Sequence, residues 1–428
     1  MDIKKEKSKS FWLGFLAGAA SIGVFVTMCA VIFIVLQANL YTKLGGKDLS
    51  STGLDNLFGG AGITSSVNGG TVITQEIVDK ADEIYSKIDE NFLFEENVDL
   101  DRMEESIYDG IMSSLDDPYS VYYTPEEFED LLTDSEGIYY GIGAYVQIEE
   151  TSKLPMLTEV FKDSPAEKAG LRGGDKIKAA DGTELEGMEL SDAVALIKGP
   201  QFTDVVLTVI REGVDEPFDV TVTRDKVEAP TVSFEMKEDN IGYIKLTEFD
   251  DVTYTQFVDA YNALKDQGMT SLIIDLRNNP GGNLSTVVDI CGEILPKGVI
   301  TYTVDKYGNR ENYNGKGKNV IDIPLAVLVN GYSASASELM TGAIRDYEKG
   351  TIIGTNTFGK GIVQHLLYLS DGSGIKITTS RYYTPNGECI HGTGIKPDIE
   401  VELDTELLYS EEAIDNQLQT AIDHLKSK

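Results

Sequence analysis

The chain has 428 residues, of which 41% are hydrophobic and 25% are charged, with 42 glycines and 12 prolines. This composition is typical of folded protein and excludes collagen-like repeats and wholesale disorder. Acidic residues outnumber basic ones by 71 to 36, giving a formal net charge of −35. Because phosphate backbones are bound by clustered Lys and Arg, we expect no nucleic-acid partner.

The cysteines lie far apart, at positions 29, 291 and 389, and only three histidines are present. Neither residue type shows the close spacing of a structural zinc site, so we expect no metal and no cofactor. Only Cys291 and Cys389 are candidates for a disulfide, and two buried thiols are the favoured interpretation.

The N-terminus has the pattern of a membrane anchor. Residues 1–10 hold four lysines against two acidic residues, and no charged side chain follows until Lys43. The apolar residues 11–36 would form a helix of about 39 Å, enough to span a hydrocarbon core of ~30 Å. The basic head predicts a cytoplasmic N-terminus, which places the rest of the chain outside a cell membrane that it crosses once. A cleaved signal peptide is the alternative, although its apolar region is normally about 7–15 residues long.

The next segments predict a linker and a helical region. Residues 37–72 are rich in glycine and serine, which is typical of flexible coil. Within the helical region 73–136, apolar residues recur at three- and four-residue steps over 73–92 and 100–115. A third helix is predicted to start near Thr124 through a capping box. These helices either pack within the chain or form a homodimer.

Residues 137–225 change to the period of short strands around two short helical stretches. The turn predicted before the first strand consists of Tyr140, Gly141, Ile142 and Gly143, two of which are glycines. This turn, SPAEKAG and GGDKI together resemble a PDZ domain. The resemblance implies that a peptide C-terminus adds as a strand beside 143–148 and that amides of the turn bind its carboxylate. The alternative is that the glycines only shape a turn.

From 226 to 405, apolar runs alternate with helical patterns. This predicts an α/β (α+β) core, a mixed sheet covered by helices, with ligand-contacting residues on connecting turns. Two turns stand out: DLRNNPGG at 275–282 and VNGYSASASEL at 329–339. Ser335 falls near a predicted helix N-terminus, where free N–H groups favour developing negative charge. The last segment, 406–428, predicts an amphipathic helix with a stripe from Ile414 that packs on the core or on a second subunit.

A serine nucleophile needs a base, and the candidates lie in one predicted strand, 360–369. Alternate residues of a strand share a face, so Lys360 and Gln364 point one way and His365 the other. We therefore expect a structural or surface role for His365. Near the first turn, Asp275, Arg277 and Asp289 are expected to be ion-paired or orienting residues.

Five motifs, RNNPGG, NGYSASASE, FGKGIVQ, GTGIKPDI and DDPYS, together with the PDZ-like segment, resemble the C-terminal processing peptidase (tail-specific protease) family. The resemblance covers about residues 73–400. It implies a serine endopeptidase with Ser335 as nucleophile, Lys360 as base and Gln364 completing the set. On the residues alone, Ser333 and Ser337 are alternatives to Ser335.

The resemblance also implies that the oxyanion is held by the backbone amides of Gly281 or Gly282 and of Ala336. A lysine base requires a pKa near 7–8 instead of about 10.4, and burial beside Phe358 and apolar neighbours is expected to supply the shift. The sequence thus predicts a protease whose PDZ domain binds accessible polypeptide C-termini and gates the site by moving. The alternative is a non-catalytic, membrane-tethered scaffold that binds protein tails.

Overall fold

The computed structural model describes residues 66–67, 70–71, 73–318, 321–410 and 413–428. The predicted cytoplasmic head, the predicted anchor and most of the predicted linker lie outside these residues. Within the part of the chain that is described, no helix combines the length and the apolar character needed to cross a membrane.

The chain divides into two units after Val98, inside the predicted helical region. The described part of the first unit starts with a short hairpin of β1 (Ser66–Val67) and β2 (Gly70–Thr71). Helix α1 (Gln75–Asn91) and a 3-10 turn (Glu95–Asn97) follow. The predicted amphipathic helix is therefore present, and none of its residues is buried within this chain.

The second unit holds the remaining helices. They are α2 (Leu100–Ser113), α3 (Pro125–Glu136), α4 (Pro165–Lys168), α5 (Leu190–Ile197), α6 (Thr253–Asp266), α7 (Leu284–Ile294), α8 (Ala336–Asp346), α9 (Thr405–Leu408) and α10 (Asn416–Lys426). The capping box predicted for α3 is formed, because Thr124 and Glu127 exchange side-chain to amide hydrogen bonds of 3.0 and 3.3 Å. The strands before residue 230 are β3 (Val121–Tyr123), β4 (Ile138–Gly141), β5 (Ala144–Ile148), β6 (Pro155–Val160), β7 (Lys176–Ala180), β8 (Thr183–Glu184), β9 (Asp204–Ile210), β10 (Phe218–Thr223) and β11 (Asp225–Glu228). The later strands are β12 (Val232–Met236), β13 (Ile241–Leu246), β14 (Ser271–Asp275), β15 (Gly298–Asp305), β16 (Arg310–Gly315), β17 (Leu325–Val329), β18 (Thr351–Gly354), β19 (Ile362–Tyr368), β20 (Gly374–Tyr383) and β21 (Ile399–Glu400).

The small domain contains an antiparallel sheet in the order β10-β9-β7-β6-β5, with β8 paired to β7. Alternate residues of β9 point inward, so Val205, Leu207 and Val209 are fully buried in its core. Strand β5 ends the sheet, and its outer edge is unpaired within the described residues. Strands β4 and β11 flank this domain in sequence and pair with each other, so the domain leaves the core through a two-stranded ribbon.

The core is built on a mixed sheet in the order β12-β13-β14-β17-β18-β21. The central strands are parallel and buried on both faces, as their unbroken apolar sequences require. Helices α6, α7 and α8 cover one face, and α10 covers the other. The predicted mixed sheet covered by helices is confirmed.

The C-terminal helix packs on the core sheet through Ala421, Ile422 and Leu425. The predicted stripe started at Ile414, but the helix begins at Asn416. The reason is that the Asp415 side chain accepts hydrogen bonds from the next amides and caps the helix there.

A second core sheet has the order β16-β15-β20-β19, with β3 paired to β20. Its strand β19 starts at Ile362, so the strand predicted over 360–369 is shorter than expected and excludes Lys360. Lys360 lies instead in the loop that leads into β19, where the alternation of a strand does not fix its direction.

Candidate active site

Ser335 lies at the turn between β17 and α8. Its backbone has φ 53° and ψ −115°, a conformation that non-glycine residues rarely adopt and that is held only by its surroundings. The turn at 278–282 packs directly against it. A Cβ on Gly281 would come within 2.8 Å of the Ser335 Cβ, so only glycine fits there. The two turns singled out in the sequence therefore meet at one serine.

The alternative serines are used to tie these turns together. Ser333 Oγ donates to the Leu276 carbonyl at 2.8 Å, and Ser337 Oγ donates to the Asn279 carbonyl at 3.0 Å. Both residues are completely buried, whereas Ser335 keeps 9% of its surface exposed. The geometry thus favours Ser335 among the three hydroxyls.

Ser335 Oγ is hydrogen-bonded to the hydroxyl of Tyr382 at 2.9 Å, a partner that sequence reasoning missed. Tyr382 is buried, and burial raises its pKa to about 12, so its proton is retained at neutral pH. Its amide donates to the Gly361 carbonyl, which places it beside the Lys360 loop. Sequence spacing gave no signal, because 47 positions separate Tyr382 from Ser335.

The three backbone amides predicted to hold an oxyanion differ in the other bonds that they make. The Gly281 amide donates to Asn279 Oδ1 at 2.8 Å and is therefore engaged. Gly282 forms a parallel bridge with Phe249, in which the backbone of Phe249 bonds the two neighbours of Gly282, Gly281 and Asn283. The Gly282 N–H consequently points away from Phe249. Ala336 is the first residue of α8, where an amide has no partner within the helix. The geometry favours Gly282 and Ala336.

A buried carboxylate, Glu338, joins the nucleophile turn to the lysine loop. Oε2 accepts from the amides of Ser335 at 3.0 Å and Lys360 at 2.8 Å. Oε1 accepts from the Thr357 hydroxyl at 2.6 Å and the Gly359 amide at 2.7 Å. Four donors thus converge on one carboxylate, which fixes the Ser335 turn and the Lys360 loop relative to each other.

The lysine side chain makes no hydrogen bond to Ser335 in this arrangement. Lys360 Nζ forms no hydrogen bond or ion pair with a described residue and sits 4.5 Å from the ring centre of Tyr119. Burial lowers the Lys360 pKa, as does the nearby Lys376 ammonium, while the Asp117 carboxylate opposes them. Burial is thus the first cause of the lowered Lys360 pKa, as expected, while Phe358 itself is 55% exposed.

Gln364 is also placed differently from the expectation. Its Nε2 donates to Thr378 Oγ1 at 3.1 Å, and it makes no hydrogen bond to Lys360. His365 is exposed on the other face of β19, in line with the surface role expected for it. A reactive Ser335–Lys360 contact would thus need the lysine side chain to move, which is common in free enzymes.

The four residues predicted to bind a peptide carboxylate fall into two groups. Tyr140 and Gly141 belong to β4, where they pair with Lys226 and Asp225 of the connecting ribbon. Ile142 and Gly143 form the turn into β5, and their carbonyls accept amides of the small domain. The turn is therefore shorter than expected. A pocket of about 400 Å³ runs from the ribbon at 137–139 to Gly282.

The remaining charged candidates are ion-paired. Arg277 bonds Asp275 at 2.6 Å and Asp415 at 2.8 Å, which ties the first turn to the cap of α10. Asp289 pairs with Lys316 at 2.9 Å. The two cysteines in the described residues are free thiols, and no acidic, His or Cys cluster there is arranged to hold a metal.

The strained Ser335 precedes a helix and packs against a glycine turn, and the small domain of the same chain ends in a strand edge that is unpaired among the described residues. These features are typical of a serine hydrolase with a peptide-binding module. The sequence pattern described as Peptidase family S41 matches residues 240–401, and that of a PDZ domain matches residues 156–211.

The relatives are proteases. The chain is 38% identical to a carboxyl-terminal-processing protease of Synechocystis over 309 residues, which cover 70% of this chain and 72% of the relative. It is 36% identical to the carboxy-terminal processing protease CtpA of Bacillus subtilis, with coverage of 76% and 69%. Among solved structures, a photosystem II D1 C-terminal processing protease is 30% identical with a TM-score of 0.45, covering 77% of this chain and 92% of that one. The chain therefore belongs to peptidase family S41 as a carboxyl-terminal-processing serine protease with a PDZ domain.

Proposed function

We propose that the chain is a membrane-anchored endopeptidase that works outside the cytoplasm, recognises polypeptide C-termini through its PDZ domain, and uses Ser335, Lys360 and Gln364. The observation that carries the proposal is the strained Ser335, which faces the glycine turn and starts helix α8. A conformation of this energy persists where function requires it.

In the proposed reaction, Lys360 leaves Tyr119 and accepts the proton of Ser335. Ser335 Oγ then attacks the scissile carbonyl, and the amides of Gly282 and Ala336 hold the oxyanion. Protonated Lys360 next delivers its proton to the leaving amine. The lowered pKa of Lys360 supports this role, because a base must be neutral at the working pH. In the reactive arrangement Gln364 would orient the amine.

The PDZ domain is proposed to bind the substrate as an added strand. The unpaired edge of β5 offers main-chain groups to an extended peptide, and the turn at Ile142 and Gly143 lies at its start. The pocket that extends from the ribbon at 137–139 to Gly282 supports a path along the ribbon to the glycine turn. Domain movement would then gate the site. A PDZ deletion that leaves both activity and tail preference unchanged would remove this part of the proposal.

The test is cleavage of an unfolded protein with an apolar C-terminus by the full chain in detergent micelles. We expect Ser335→Ala and Lys360→Ala to lose cleavage while keeping wild-type circular dichroism. Ser337→Ala is the matched control, because it removes a neighbouring hydroxyl that only bonds a carbonyl. Cleavage by Ser335→Ala, or its loss in Ser337→Ala with the fold intact, would overturn the assignment.

Membrane anchoring is tested separately. The uncharged segment 11–36 after a basic head supports a single span with the protease outside. We expect the full chain to resist extraction by alkaline carbonate and a chain lacking residues 1–36 to be extracted. External protease should reach the catalytic domain in intact cells. Protection of that domain would reverse the proposed topology.

A homodimer is proposed from the exposed apolar face of α1. Ile77 and Ile84 of this helix are each about half exposed, as is Ile73 just before it, which is costly for a lone helix in water. We expect sedimentation of the chain lacking residues 1–36 to report a dimer, and Ile77→Glu with Ile84→Glu to report a monomer. A wild-type monomer at micromolar concentration would contradict the proposal.

A further inference from the structure

The loop of residues 116–120 is built around one carboxylate. Asp117 accepts the Ser120 hydroxyl at 2.6 Å and the Tyr119 amide at 3.1 Å. Ser120 Oγ in turn accepts the Thr378 amide of β20 at 3.1 Å. The loop is thereby fixed to the same sheet that carries the lysine loop.

This loop stabilises a charged Lys360 in two ways, by one direct contact and by one charge that acts at longer range. The Tyr119 ring lies 4.5 Å from Nζ, within the distance of a cation–π interaction. The Asp117 carboxylate acts on the same ammonium with opposite charge. Burial raises the pKa of Asp117, but hydrogen bonds from Ser120 and Thr378 outweigh it and keep this carboxylate ionised.

We propose that Tyr119 and Asp117 are positioning residues of the general base: they hold the protonated Lys360 away from Ser335, and their contacts set how readily the neutral amine is released. The inference rests on the proposed role of Lys360 in proton transfer. It also gives Gln364 a connection in the free enzyme, because Gln364 bonds the Thr378 hydroxyl and the Thr378 amide donates to Ser120 of the same loop.

The groups that face this lysine come from four elements. Asp117 and Tyr119 lie on the loop, and Lys376 lies on β20 and opposes the loop by repelling the ammonium. Glu338 of α8 binds the Lys360 amide. His391 lies near Asp117 and, when charged, lowers the pKa of that carboxyl group. Removing Asp117 or Tyr119 should therefore favour the neutral lysine, and removing Lys376 should favour the ammonium.

The experiment measures the rate at which a small uncharged phosphonofluoridate labels Ser335 between pH 5.5 and 10, using the full chain in micelles at constant salt. The reagent does not need the PDZ domain. Labelling rises with pH as the base becomes neutral. We expect Asp117→Asn to move the midpoint down by about one pH unit and Tyr119→Leu by about half a unit. Lys376→Gln should move it up by about half a unit.

Two variants separate positioning from a general structural effect. Tyr119→Phe keeps an aromatic face and should restore the wild-type midpoint. Asp116→Asn removes the same charge from the neighbouring position, and asparagine tolerates its positive φ of 53°. We expect Asp116→Asn to leave the midpoint where it is.

Opposite shifts for Asp117→Asn and Lys376→Gln, with rescue by Tyr119→Phe, would support the inference. Midpoints that stay within about 0.2 units in all variants, while Lys360→Ala is unlabelled, would overturn the inference and leave the proposed function standing. Normal labelling of Lys360→Ala would overturn both. If Asp117→Asn does not fold, the pair Tyr119→Leu and Tyr119→Phe decides on its own.

Discussion

The loss of Glu338 should test how the proposed nucleophile turn and the loop of the proposed base are held in place. In Glu338→Ala, the buried amides of Ser335 and Gly359 and the part-buried amide of Lys360 lose their acceptor, and the Thr357 hydroxyl loses a partner. At about 1–3 kcal/mol for each unpaired amide, the free energy of unfolding should fall by about 3–9 kcal/mol. That is comparable with the whole stability of a typical protein, about 5–15 kcal/mol.

Glu338→Gln should be much milder. If its amide nitrogen faces the Thr357 hydroxyl, its oxygen still accepts the amides of Ser335 and Lys360, and only the Gly359 amide is left unpaired. The expected loss is then about 1–3 kcal/mol. Because both catalytic segments keep their bonds, labelling of Ser335 should fall by less than about tenfold.

The assay is urea unfolding followed by circular dichroism, since the single tryptophan lies at position 12, outside the described residues. Labelling of Ser335 is measured in parallel. Glu293→Gln is the control, because this buried carboxylate bonds Tyr254 and Lys318 at the far end of α7. It should lower stability without changing labelling. Wild-type stability and labelling in Glu338→Ala would refute the reasoning.

Three further changes have defined outcomes. Tyr382→Phe removes the hydroxyl that is bonded to Ser335, so peptide hydrolysis should fall about tenfold with little change in the unfolding midpoint. An unchanged kcat would exclude a role for that hydroxyl. Gly282→Ala puts a side chain on a residue with φ +136° and drives its Cβ against the Phe249 carbonyl. Cleavage should be lost, and the free energy of unfolding should fall by at least about 2 kcal/mol. Full activity would contradict the assigned turn. Arg277→Met leaves the carboxylates of Asp275 and Asp415 without their guanidinium partner, so the free energy of unfolding should fall by about 3–5 kcal/mol. A variant of wild-type stability would show that the ion pair to α10 contributes little free energy.

The predicted elements and the found ones differ mainly where long-range contacts decide. Helix α1, helix α3 with its capping box and the buried parallel strands follow from local periodicity, and they are present. The strand predicted from Lys360 begins two residues later, at Ile362. Alternation within a sequence shows a face but not where pairing with a neighbouring strand begins.

The site shows the same division. Motif resemblance and helix-terminus chemistry single out Ser335 and the glycine turn, and the fold brings them into contact. The sequence, in contrast, cannot show that Tyr382 would be the partner of Ser335. Nor can it show that Lys360 would rest on Tyr119, or that Gln364 would bond Thr378, because those contacts depend on how β19, β20 and the loop at 116–120 pack.

The sequence by itself determined the class of protein, the order of its segments and the chemical identity of the candidate residues. These are local properties, carried by periodicity, charge and short motifs. Only the tertiary structure decided which of the three serine hydroxyls keeps some exposure, which of the two glycine amides is free of other hydrogen bonds among the described residues, and which residues contact Lys360. Hydrogen bonds of Ser333 and Glu338 join residues far apart in the chain, and Asn279, which donates to the distant Leu246 carbonyl, accepts the Gly281 amide. Each settles one of these choices by occupying a group that the sequence leaves available.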